Sequence, residues 1–522
     1  MASKTLFQSL RGMLAPAANT RSEAGGVAYA MSAKQMLAQY AATGCLNSTF
    51  YASAEEQLAT VLELCGQVEP EFIARTALYA RSRGFMKDLP ALLCAVLASK
   101  GPGLLAEVFD RVIDDGRMLR NFVQILRSGV VGRKSLGTLP KRLVLQWIEN
   151  RDDAALFRAS VGNDPSLADI VKMVHPRPAS KSREAFFGYL IGRPHDAAAL
   201  PEIVRQYESF KTGVSKVVPD VPFQMLTGLE LSTEDWREIA RNASWQMTRM
   251  NLNAFARHGV FDGAAMDELI ARRLSNPELI AKARVFPYQL MTAYATVDAA
   301  VPAGVREAIQ DAMEIAIANV PKIDGGVWVF PDISGSMHSP ITGHRAGATT
   351  AVRCIDVAAL VAAAFLRQNP RTGVIPFENK AVNITLNPRD SVMTNAARLA
   401  ALPAGGTNCS APLAELNRRR AAGDLLIYVS DNESWVDSPR HGAFGGSATA
   451  TMKEWSSYKA RNPGARLVCI DIQPYGTTQA AERQDVLNIG GFSDRVFDVI
   501  AEFAAGTLSA GHWVGVIESV AL

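Results

Sequence analysis

Six cysteines in 522 residues (Cys45, Cys65, Cys94, Cys354, Cys409 and Cys469) are too few and too scattered for a zinc module or a disulfide framework. They read as buried free thiols of a reducing compartment. No apolar run approaches the ~18 residues that a membrane-spanning helix needs. The opening stretch Met1–Leu14 is short and interrupted by polar residues, unlike a secretory signal. A cytoplasmic location is therefore expected, and the Asn-x-Ser/Thr triplets at Asn47, Asn242, Asn383 and Asn408 read as chance. Charge of one sign is also lacking: 54 basic against 51 acidic residues leave a net +3, so any nucleic-acid contact must come from a local patch. Phosphate-loop, Gly-x-Ser-x-Gly, His-Glu-x-x-His and kinase motifs are absent, which removes the commonest signs of catalysis.

What is present is ordinary globular composition, 48% apolar and 20% charged, over a length that suits two to four domains. From about residue 20 to 318 apolar residues recur at three and four, as in 54–64, 71–83, 89–98, 105–113, 118–127, 141–149 and 167–173. Pro70, Pro90, Gly101, Gly103, Gly132, Pro140, Pro165 and Pro176 punctuate them. Short helix pairs in series predict an α-solenoid with degenerate repeats. Near Lys322 the texture changes. Short Val- and Ile-rich runs at 326–333, 373–377, 424–430 and 466–472 alternate with helical stretches at 352–368, 395–402, 411–420 and 451–460. That alternation predicts βαβ units and a mostly parallel sheet. An antiparallel edge strand is expected at 381–386 and a further strand from Arg495 to Ile500, with the tail packing back on the helical part. The expected domains are 1–320, helical, and 321–522, α/β.

The motif Asp332-Ile-Ser334-Gly-Ser336 follows the apolar run Val327–Pro331, so it sits where parallel sheets bind ligands, at a strand's carboxyl end. One carboxylate and two hydroxyls on a tight loop suit a hard cation such as Mg²⁺. Gly405-Gly406-Thr407 offers a hydroxyl, and Ser430-Asp431-Asn432-Glu433 a carboxylate after another buried strand. Alone, the first motif is an ordinary Ser-rich turn. Together the three segments resemble the metal-ion-dependent adhesion site of von Willebrand factor A domains. That resemblance implies that Asp332, Ser334, Ser336, Thr407 and Asp431 hold one divalent cation, directly or through water. His338 reads as a surface residue, because hard cations prefer oxygen. Glu433 could be drafted as a base only on its proximity.

Further segments carry a second resemblance. They are Glu23-Ala-Gly25-Gly26, Gly44 to Thr49-Phe50-Tyr51, Gly132-Arg133-Lys134, Trp147, His175-Pro176-Arg177-Pro178, the long block from Arg249 to Phe261, Arg284 to Tyr288, and Ile489 to Asp494. Their order resembles the Ro autoantigen, or TROVE-domain, family over nearly the whole chain. The family implies a ring of HEAT-like helices closed by a von Willebrand factor A domain. It implies a non-catalytic monomer that binds Y-type noncoding RNA outside and single-stranded 3′ ends of misfolded RNA in the hole. In bacteria it further implies contact with polynucleotide phosphorylase through RNA.

Basic side chains bear on RNA chemistry without the family. The window 111–151 holds nine basic side chains (Arg111, Arg117, Arg120, Arg127, Arg133, Lys134, Lys141, Arg142 and Arg151) against Asp114, Asp115 and Glu149. Such a stretch is either a solvated helical face or a phosphate-binding one. His175 and Arg177 fall on the family's RNA-contacting His motif, with Arg158 and Lys172 nearby. Arg257 and His258 share helical spacing with Asn251, which is either cavity-lining or a buried cap, while Phe255 reads as core. The segment 160–164 is less basic than the family implies for an outer RNA surface. Two other readings stand beside RNA binding. One is a cation-dependent protein-interaction adaptor; the other is a metal-dependent nuclease.

Overall fold

The computed structural model describes residues 15–43, 53–263, 265–283, 285, 287–341, 352–436, 448–473, 475–491, 496–507 and 512–522. Gly44–Tyr51, Arg284, Phe286 and Phe492–Asp494 lie outside them, as do Cys45 and Asn47. The five described cysteines are free and buried.

The described residues form two compact units. One takes in residues up to Leu64, Ala271–Asp298 and Ala303–Ser519; the other is Cys65–Ile270 with Ala299–Pro302 and Val520–Leu522. The division by compactness thus differs from the texture boundary near 320. The helices Pro287–Thr296 and Ala303–Ala316 pack on the α/β helices Cys354–Gln368 and Val392–Ala400. The amino-terminal segment also belongs with the α/β unit, and it is not all helix: it begins with strands β1 (Thr20–Arg21) and β2 (Val27–Ala30).

The second unit is helical, as its periodicity predicts. Pro70–Ser82, Asp88–Lys100, Pro102–Val112, Gly116–Ser128 and Thr138–Glu149 follow one another and pack on near neighbours. Asp88–Lys100 is buried from Leu89 to Ala98, the mark of a helix enclosed on all sides. Gly116–Ser128 is amphipathic instead, burying Met118, Leu119, Phe122, Val123 and Leu126. The Asp115 carboxylate caps its start by accepting from the Met118 N–H at 2.8 Å. Gly129 ends it at φ +90°, a left-handed turn open to glycine. Leu167–Val174 opens with a reciprocal capping box between Ser166 and Asp169. The tail returns to this unit, with Arg111 donating to the Ala521 carbonyl at 2.7 Å.

The first unit holds a five-stranded parallel sheet in the order β4-β3-β5-β6-β8. Its strands are β3 (Val327–Pro331), β4 (Thr372–Val374), β5 (Leu425–Ser430), β6 (Arg466–Asp471) and β8 (Val486–Gly490). Helix Cys354–Gln368 buries Cys354–Leu366 almost continuously except Asp356, and its alanines let it lie close to the sheet. Two sequence expectations fail here. Residues 381–386 make only an isolated antiparallel bridge, Ala381 to Phe377, because the chain leaves the sheet edge at once. Val496–Ala504 is a helix, not a strand: Val496, Phe497, Val499, Ile500 and Phe503 are buried at helical spacing, and β8 takes the fifth place. A small antiparallel sheet, β1-β2-β7 with β7 at Thr477–Thr478, joins the amino-terminal segment to this unit.

Candidate cation site and basic surface

Three loops meet at the carboxyl edge of the parallel sheet. The loop after β3 carries Asp332, Ser334 and Ser336. It is tied to the glycine loop by the Gly335 N–H donating to the Gly405 carbonyl at 3.0 Å. Thr407 follows on that loop, and its carbonyl accepts from the Trp435 and Val436 amides at 3.2 Å each. β5 delivers Asp431 to the same edge, where the Asp332 N–H donates to the Val429 carbonyl at 3.0 Å. All five residues expected from the sequence are buried: Asp332 0%, Ser334 1%, Ser336 8%, Thr407 2% and Asp431 1% exposed.

Hydrogen bonds preset the donors. Asp332 Oδ1 accepts the Ser334 N–H at 2.8 Å, and Oδ2 accepts the Ser430 hydroxyl at 2.5 Å. The Ser334 and Ser336 hydroxyl oxygens lie 3.3 Å apart. The Ser336 hydroxyl faces the Asp431 carboxylate, whose Oδ2 is buried without a partner of good geometry. Burial, then the Asp431 charge, pushes the Asp332 carboxyl up. Burial also raises Asp431. Two buried carboxylates thus face each other with a vacant lone pair and hydroxyls around them, and their ionised forms call for a positive charge. Among the described residues no three or more His, Cys, Asp or Glu side chains group as metal ligands. The side chains that do meet here, the Asp332 and Asp431 carboxylates and the Ser334 and Ser336 hydroxyls, are oxygen donors, the kind a hard cation takes. His338 is half-buried rather than at the surface: its Nδ1 meets the Arg353 guanidinium at 3.0 Å, and its Nε2 is buried without a hydrogen bond of good geometry among the described residues.

Sequence reasoning missed three features. Ser430 was noted only as the end of a strand, yet it orients Asp332. Asp471, at the end of β6, is 1% exposed and neither carboxylate oxygen has a hydrogen bond of good geometry. Glu433 is fully buried and its Oε2 accepts the Ala24 N–H at 2.8 Å. The available signal was Glu23-Ala-Gly25-Gly26, a recognisable segment to which no chemistry had been attached.

On the helical unit the structure sorts the basic residues. Arg133 donates to the Ala98 carbonyl at 2.7 Å and the Leu136 carbonyl at 3.3 Å, so it braces helix ends. Arg120 donates to the Ala159 carbonyl at 2.9 Å. Arg151 lies 3.6 Å over the Trp147 ring. Arg117 pairs with Asp88 at 3.7 Å and Arg158 with Asp220 at 2.6 Å. By contrast Arg127, Lys134, Lys141, Arg142, Lys172 and Arg177 are exposed, with no ion pair or side-chain hydrogen bond among the described residues. Arg127 and Lys172 line one cleft of about 640 Å³ with Gln124, Ser128, Asp164 and Asp169. His175 is the exposed left-handed cap that ends Leu167–Val174. Arg257 is exposed and its Nε donates to the Asn253 carbonyl at 3.4 Å, while His258 stacks 4.0 Å from Trp236. Asn251 is the cap of the next helix and donates to the Met247 carbonyl at 2.8 Å; Phe255 is core.

With this geometry in view, comparison with known proteins gives two family matches: the Ro60 vWA domain over residues 327–504 and the TROVE domain over 224–356. The chain carries a TROVE domain followed by a Ro60-type von Willebrand factor A domain. RNA-binding protein RO60 of Deinococcus radiodurans is 23% identical over 527 residues, covering 93% of this chain and 95% of that protein. The crystal structure of the D. radiodurans RO (RSR) protein superposes with a TM-score of 0.62 at 19% identity, over 91% of this chain and 100% of that one. The five candidate residues, from Asp332 to Asp431, thus fall within the segment that matches the Ro60 vWA domain.

Proposed function

We propose that this TROVE-domain protein is a non-catalytic, monomeric RNA-binding protein of the cytoplasm. Its partners are a Y-type noncoding RNA and misfolded structured RNAs with single-stranded 3′ ends, in noncoding-RNA quality control. Polynucleotide phosphorylase would be reached through the RNA. The observation that carries the reading is the set of six exposed basic side chains without an ion pair or side-chain hydrogen bond among the described residues, Arg127, Lys134, Lys141, Arg142, Lys172 and Arg177, on the helical unit; Arg127 and Lys172 also feel the Asp169 carboxylate. Unpaired cations attract phosphates without reading bases. His175, Arg257 and His258 are the further expected contacts.

Asp332, Ser334, Ser336, Thr407 and Asp431 hold one divalent cation, most simply Mg²⁺. When bound, the ion supplies an electrophilic position for one more anionic oxygen. The only base weighed from sequence, Glu433, is buried and engaged by the Ala24 amide, which supports a binding role over hydrolysis. The test is sequencing of RNA that co-purifies with the full chain, followed by its incubation with Mg²⁺. Recovery of structured RNA with an unpaired 3′ tail, left intact, is expected; degraded RNA, or none above background, would remove the reading. The adaptor reading draws on Trp435 and Val436, which stand 36% and 37% exposed beside Thr407. It requires a protein captured with cation and released by EDTA in RNase-treated extract.

A further inference from the structure

We infer that the amino-terminal hairpin β1–β2 is part of the cation site, with Glu433 as the positioning residue that couples hairpin docking to ion binding. The inference rests on the cation reading above.

The hairpin's turn runs from Ser22 to Gly26. It closes through the Ser22 N–H donating to the Gly26 carbonyl and the Gly25 N–H donating to the Ser22 carbonyl, both at 2.8 Å. Gly25 sits at φ +83°, where a side chain would be strained. This turn points the Ala24 N–H at Glu433 Oε2, 409 residues away in sequence. Glu433 in turn donates its own N–H toward Asp431 Oδ1 at 3.4 Å. One residue therefore links the hairpin to a cation ligand, from its side chain on one side and its backbone on the other.

Charge gives the link its direction. Glu23 lies in the same turn, faces Glu433 and Asp471, and accepts the Gly476 N–H at 3.4 Å. The charged groups facing Asp471 are Asp431, Glu433 and Glu23, all acidic. Glu433 Oε1 and both Asp471 oxygens are buried without a hydrogen bond of good geometry among the described residues, and only the Asn432 amide faces Asp471. Docking the hairpin thus adds the Glu23 carboxyl, within hydrogen-bond reach of Glu433, to a buried group of acidic side chains. Asp332 and Asp431 would hold a divalent cation beside this acidic group, and its charge would favour the group's assembly. Linkage then requires that the ion favour the docked hairpin and the docked hairpin favour the ion by the same factor. β2 is anchored by the β2–β7 pairing, Tyr29 to Thr478 and Ala30 to Thr477, and by Ala28 and Tyr29 in the core, so the part that can respond locally is the turn from Ser22 to Gly26.

Hydrogen exchange of the full chain, read on peptides covering residues 20–30, tests this with Mn²⁺ as the probe and EDTA as the control. Mn²⁺ binding is measured in parallel by electron paramagnetic resonance. Exchange should slow several-fold when Mn²⁺ binds. Glu23→Gln, at an exposed position, should give much of that protection in EDTA, as should Glu433→Gln, which keeps an oxygen for the Ala24 amide. Glu433→Ala should free the hairpin and weaken Mn²⁺ binding several-fold. Mn²⁺ bound to the wild-type chain with unchanged exchange at 20–30 would overturn the coupling alone. No Mn²⁺ binding at all would overturn the cation reading and the coupling with it.

Discussion

Arg133 and Lys134 are neighbours in sequence and opposite in environment, so they separate a phosphate contact from a structural brace. The Arg133 guanidinium donates to the carbonyls of Ala98 and Leu136, whereas Lys134 is exposed with no ion pair or side-chain hydrogen bond among the described residues. A hydrogen bond from a charged donor contributes roughly 1.5–3 kcal/mol, and the 3.3 Å contact belongs at the low end. Arg133→Ala should therefore destabilise the helical unit by about 3–4.5 kcal/mol. Lys134→Ala should stay within about 0.5 kcal/mol, as surface changes do. Hydrogen exchange of peptides covering Asp88–Lys100 and Thr138–Glu149 reads these local free energies. For RNA the order reverses. If all six unpaired cations neutralise phosphates, the slope of log K against log salt for single strands approaches about −4, at roughly 0.7 per contact. The triple change Lys134→Ala, Lys141→Ala and Arg142→Ala should flatten it by about 2 with exchange unchanged. An unaltered salt slope in that triple variant, or a Lys134→Ala protein as unstable as Arg133→Ala, would refute the assignment.

Asp332→Ala should abolish Mn²⁺ binding measured by paramagnetic resonance while leaving the RNA salt slope unchanged; retained stoichiometric Mn²⁺ would place the ion elsewhere. Glu482 is largely buried, and burial lifts its carboxyl to about 7 despite the 2.8 Å bond donated by the Asn488 amide. The folded state therefore favours the protonated acid. Stability should fall as pH rises from the unfolded value near 4.5 through about 7, by up to roughly 3 kcal/mol. Glu482→Gln should remove that decline, and a urea midpoint that falls equally in both proteins counts against it. Phe122, fully buried and edge-to-face with Phe109 at 5.1 Å, should cost about 3–5 kcal/mol of stability when changed to Ala, seen as faster exchange throughout Gly116–Ser128.

Much of the architecture was legible because its signals are local. Helical spacing with Pro and Gly breaks located the helices of the second unit, and Val- and Ile-rich runs located β3 to β6. The loops of the proposed cation site were legible for the same reason, since oxygen-bearing side chains and strand placement travel together in Asp332-x-Ser334-x-Ser336. The failures were also local in origin. Val496–Ala504 is apolar enough to read as a strand, and only its buried spacing against neighbouring elements makes it a helix. Residues 381–386 alternate well, yet the backbone pairs once and departs.

By itself the sequence determined the helical and α/β textures and the identity of the oxygen donors, because side-chain periodicity and residue chemistry are properties of neighbours in the chain. Tertiary structure alone decided which cations remain unpaired. Arg133, Arg120 and Arg158 meet carbonyls or a carboxylate brought from 35, 39 and 62 residues away, while Lys134, Lys141, Arg142 and Arg177 meet none among the described residues. It also decided that a turn at Ala24 caps Glu433. Those choices depend on distance in space, which burial and chain closure set and no local pattern encodes.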